Sequence, residues 1–175
     1  MGKGANFERE FCKQLSHWWT SGLRDDVFWR THGSGARATQ RHKSGQRTRG
    51  QYGDVCATDP IGVPLIDLIT FSLKRGCSKH SLQDLLDCKQ RLNDGWEQWL
   101  DEVHEVWQQS GSLSWMIVVR RDRREAIFVA PLVVFQMIDG SPAIKVYRSE
   151  NSKHIGAHRL SYLFSAGPER LKDIR

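Results

Sequence analysis

A chain of 175 residues, 39% hydrophobic and 26% charged, suits one domain around a single core and leaves too little for two of ordinary size. No stretch approaches the roughly 20 apolar residues needed to span a bilayer, and four cysteines without a CxxC pair argue against a disulfide frame. Twenty-six Lys and Arg against 20 Asp and Glu give +6 and a pI near 9.4, which points to a polyanionic partner.

The first element is read over Asn6 to Trp19, where Phe7, Phe11, Leu15 and Trp18 line one helical face, with Asn6 as N-cap and Gly22 as stop. Val27 to Thr31 reads as a short strand. A long polar loop, His32 to Tyr52, follows. From Arg30 to Gly53 there are six basic residues and no acidic one, so the whole net charge sits there. Asp54 to Thr58 and Val63 to Lys74 read as strands joined by a turn at Asp59-Pro60-Ile61-Gly62. The second of them, almost continuously apolar, is expected at the centre of the sheet.

Ser81 is placed to cap a helix through Leu92, and a second helix runs to about Gln109, closed by Gly111. Their polar faces carry Asp84, Asp87, Asp94, Glu97, Asp101, Glu102 and Glu105. Ser114 to Arg121 and Glu125 to Ala130 form an expected hairpin. Short strands are expected near Ala143 to Arg148 and Arg159 to Phe164, with a last helix opened by Pro168. Residues 1–130 read as a core and 131–175 as an elaboration of the same domain, an α/β fold with a mixed sheet flanked by helices. The tryptophans within these elements are expected in the core. The N-terminus lacks the apolar core of a signal peptide, so the expected compartment is the cytoplasm.

Phosphodiester hydrolysis near neutral pH needs a nucleophilic water, neutralised phosphate charge and help for the leaving oxygen, which carboxylate-held Mg²⁺ and a lysine supply. Here Asp54 opens one strand and Lys74 ends the next, with Ser72 on the same face by alternation. The zinc alternative, His154-x3-His158, lacks two nearby ligands. Arg120, Arg121, Arg123 and Arg124 read as an exposed hairpin tip.

Four segments, Gly4-x-x-x-Glu8-Arg9-Glu10, Arg30-x-x-x-Ser34-Gly35, Gly53-Asp54-Val55-x-Ala57 and Ser72-Leu73-Lys74-Arg75, occur in an order that resembles PD-(D/E)xK nucleases. The likeness is to archaeal-type Holliday junction resolvases and related phage or bacterial endonucleases, and covers roughly residues 4 to 121. It implies a restriction-endonuclease-like fold, DNA as partner with branched DNA among its forms, a homodimer, and a bacterial or phage-infected cell. It also implies Mg²⁺ or Mn²⁺ held by Asp54 and Glu8, with Lys74 acting on the attacking water. Arg30 and Ser34 match phosphate-contacting positions, and Gln98 is a candidate for a polar residue behind the site. The helical wheel independently favours Glu8 over Glu10, because Glu8 borders the apolar stripe. Arg37, Arg41, Lys43, Arg47 and Arg49 supply phosphate contacts with little sequence preference.

The pattern is broken at Ser72, where the family has Glu or Asp and a hydroxyl is a poor ligand for a hard cation. Three accounts stand: the acid lies at Asp67, Asp84 or Asp87; the residue has been altered; or the protein binds DNA without cutting it.

Overall fold

The computed structural model describes residues 3–31, 52–76, 81–87, 95–148 and 153–174. Helix α1 (Lys3–Trp19) starts ahead of Asn6, and the four stripe residues Phe7, Phe11, Leu15 and Trp18 are buried. It ends where Gly22 adopts φ +88° and its N–H bonds the carbonyl of His17 at 2.6 Å, a conformation that costs glycine least. Strands β1 (Phe28–Arg30) and β2 (Val55–Ala57) pair antiparallel as a two-stranded ribbon.

The segment expected as one long strand is two elements. Asp59 caps a 3₁₀ turn, Pro60–Gly62, by accepting from the Ile61 N–H, and helix α2 (Val63–Leu68) follows before β3 (Ile69–Arg75). Pro64 in the first turn of α2 suits a helix start, and Leu65, Ile66 and Leu68 are buried. A short run with one polar residue, Asp67, does not reveal its period, so helix and strand are indistinguishable there by pattern.

Helix α3 (Leu82–Asp87) begins with a reciprocal cap in which Ser81 and Asp84 exchange backbone and side-chain bonds, and the expected end at Leu92 lies outside the described residues. Helix α4 (Gly95–Ser110) then crosses over to β4 (Ser114–Arg120), which lies parallel to β3. β4 turns back into β5 (Ile127–Pro131), α5 (Leu132–Met137), β6 (Ile144–Arg148) and β7 (Lys153–Arg159). Helices α6 (Leu160–Ser165) and α7 (Glu169–Lys172) close the described chain. The run Arg159 to Phe164, expected as a strand, is therefore mostly helix. Its aromatic residues suit either state, and Leu160 and Leu163 are buried at helical spacing.

The five-stranded sheet has the order β3-β4-β5-β7-β6, mixed in direction. This is an α/β fold with a mixed sheet flanked by helices, consistent with a restriction-endonuclease-like architecture. β3 is terminal in that order, so the central position expected for it belongs to its neighbours. In β4, Met116 and Val118 enter one apolar cluster with α1, β1, α5 and α6, while Trp115, Ile117 and Val119 enter a second with α3 and α4. Alternation thus buries both faces of β4. No helix among the described residues is long and apolar enough to cross a membrane.

Candidate active site

The open edge of β3 is met by the chain entering β2. Asp54 N–H donates to the Phe71 carbonyl at 2.8 Å, and Asp54 Oδ2 accepts from the Leu73 N–H at 2.6 Å. The Asp54 carbonyl accepts from Thr31 N–H at 3.1 Å. Backbone and carboxylate together satisfy an edge that would otherwise present unpaired polar groups. The approach requires glycine at the preceding position: Gly53 has φ +78°, and a Cβ there would lie 2.5 Å from Phe71 O. The Asp54 carboxylate is thereby held beside the peptide linking Ser72 to Leu73, one residue before Lys74.

Glu8 projects from α1 with a side chain 26% exposed, and its Oε2 lies 3.4 Å from Arg30 Nε on β1. That Nε is buried and makes no hydrogen bond among the described residues, so the Glu8 carboxylate is the charge that faces it. One turn along α1, the buried Cys12 thiol is pushed up to about 12, first by burial and then by Cys56, Glu8 and Asp54, with Arg30 opposing. Glu8, Asp54 and Arg30 thus all bear electrostatically on the Cys12 thiol. Burial also raises Cys56, and both cysteines are free thiols. Glu10, by contrast, is exposed and pairs with Arg120 at 2.6 Å.

Thr70, Ser72 and Lys74 share the opposite face of β3, toward α4. Thr70 Oγ1 bonds Ser110 Oγ at 2.8 Å and Ser112 Oγ at 2.6 Å. Two pleats further on, Lys74 Nζ donates to Glu102 Oε2 at 2.6 Å, and Gln98 Nε2 donates to Glu102 Oε1 at 2.8 Å. Sequence reading grouped Glu102 with the solvated acids of α4; the available signal was its i, i+4 spacing from Gln98, which puts both on one helix face. Asp67 lies on α2 rather than on a strand, and Asp84 is engaged in the Ser81 cap. Ser34, Arg37, Arg41, Lys43, Arg47 and Arg49 lie outside the described residues.

The donor set can be weighed against a divalent cation. Asp54, fixed in orientation by Leu73, and Glu8 offer the kind of oxygen ligand a hard cation takes, and Mg²⁺ commonly binds one or two carboxylates and keeps several waters. Among the described residues no group of three or more His, Cys, Asp or Glu gathers at one point. The described residues alone form no all-protein cage for a cation.

Comparison with protein families matches residues 1–158 to the family described as "Phage putative PDDEXK endonuclease". No match is found among curated proteins or solved structures.

Proposed function

This chain belongs to that phage PDDEXK endonuclease family, and from there we propose that it hydrolyses DNA phosphodiesters with Mg²⁺ or Mn²⁺, selecting branched substrates as a junction resolvase does. Nucleases of this type generally use divalent metals. Asp54 and Glu8 are the residues that would hold the ion, which supplies charge neutralisation at the phosphate and a more acidic water. Lys74 orients the attacking water and offsets charge developing on phosphate oxygens. Arg30, which faces Glu8 across 3.4 Å, and Ser34 take the phosphate near the cut. Arg37, Arg41, Lys43, Arg47 and Arg49 neutralise flanking phosphates and release counterions. A homodimer cutting two strands across a symmetric junction, in the cytoplasm of an infected bacterial cell, completes the proposal.

The observation that carries it is the Asp54 to Leu73 hydrogen bond of 2.6 Å, which ties the first acidic position of the family pattern to the strand bearing its lysine. A second reading, DNA binding without cleavage on the same scaffold, is favoured by Ser72, whose hydroxyl is a poor ligand for a hard cation. Four-way junction, duplex and single-stranded DNA incubated with Mg²⁺ or Mn²⁺ separate the two. Nicks confined to the junction, absent in Asp54→Asn and Lys74→Ala, support the proposal. Salt-sensitive binding with no scission of any substrate, even after Ser72→Glu, leaves the binding role.

A further inference from the structure

The family pattern places an acid two residues before the lysine, on the same strand face, and this chain has a neutral serine there. Lys74 nevertheless does not face a neutral surface. Its side chain is 21% exposed and meets Glu102, which is 44% exposed. The Glu102 carboxylate is itself oriented from behind by Gln98. Helix and strand run antiparallel in register, since Thr70 meets Ser110 while Lys74 meets Glu102. Four strand residues rise about 13 Å and eight helical residues about 12 Å. Glu102 is therefore level with Lys74, and not with Ser72.

We propose that Glu102 is a positioning residue for Lys74, holding its ammonium from α4 in the role of a charged neighbour that Ser72 on the strand cannot fill. The inference rests on the nuclease reading and deepens it. A flexible four-carbon stem ends in a point charge with three rotatable donors, so without a fixed anion the amine samples several positions. One ångström of misplacement at a reacting centre costs about 100-fold in rate. The carboxylate, braced by a bond to Gln98 of 2.8 Å, removes that freedom.

The experiment compares the parent chain, Glu102→Gln, Ser72→Glu and the double variant in single-turnover cleavage with Mn²⁺, with junction binding measured in EDTA and lysine side-chain NMR of the DNA-free protein. Glu102→Gln is expected to cut about 10- to 100-fold more slowly with unchanged junction affinity, and to shift the Lys74 ammonium resonance. Adding Ser72→Glu to Glu102→Gln is expected to recover most of the lost rate. Cleavage by Glu102→Gln at the parent rate overturns the proposal, as does a loss that Ser72→Glu leaves uncorrected. An ammonium resonance identical in parent and Glu102→Gln overturns the ion pair itself, whatever the cleavage result. A parent that cuts no DNA with either metal overturns the nuclease reading, and the positioning role in cleavage with it.

Discussion

On one face of β3, Phe71 and Leu73 enter the apolar cluster that α1 closes, whereas on the other Thr70, Ser72 and Lys74 meet α4 through hydroxyls and an ammonium. Phe71 is 1% exposed and its ring lies 5.7 Å from that of Phe11. The Ser72 and Lys74 side of the strand stays partly open to solvent. One seven-residue strand thus assigns folding to its odd positions and candidate chemistry to its even ones, with Asp54 bound at the edge between them. The two tasks are separable in principle because a pleated backbone sends alternate side chains in opposite directions.

The sharpest test of that separation is Phe71→Ala. Removing a buried aromatic ring costs about 3–5 kcal/mol, so urea unfolding should show a loss of that size. At low temperature the surviving folded fraction should still bind junction DNA. Asp54→Asn asks the converse. An amide oxygen can still accept from Leu73 N–H, so stability should change little while cleavage falls on the order of 10²- to 10³-fold. A large stability loss in Asp54→Asn would erase the distinction between edge and core.

Thr70→Val probes whether the polar face also contributes to folding. It deletes the hydroxyl that joins Ser110 and Ser112, and a loss of about 1 kcal/mol in urea unfolding is expected, with cleavage kept. A further prediction concerns pH. Burial raises the Cys12 thiol from 9.0 to about 12, so the folded state keeps a proton that the unfolded chain releases. Its contribution is present below pH 9 and is lost as pH rises from there toward 12. Unfolding midpoints measured from pH 7 upward should decline in the parent beyond about pH 9 and decline less in Cys12→Ala.

Much of this division was legible in the residues themselves. The α1 stripe, the Gly22 stop and the parallel partner strand's apolar run all follow from local spacing. The helix within Val63 to Leu68 did not, because six residues with a single polar one, Asp67, are too few to mark a period. The place of β3 at the sheet's edge was hidden for a related reason: Asp54, and not another full strand, covers its outer side. Glu102 was visible only as one acid among several, since nothing local says which turn of a long helix will lie opposite a given lysine.

Gly53 touches no proposed substrate atom, yet it sets how near the carboxylate after it can come to the strand. A methyl group there would sit 2.5 Å from the Phe71 carbonyl oxygen, well inside contact distance, on a backbone conformation that side chains rarely adopt. In a saturation-mutagenesis screen scored by DNA cutting, this position should tolerate as few replacements as the aspartate itself. Its intolerance would register a requirement for empty volume, which no inventory of charged or nucleophilic groups would include.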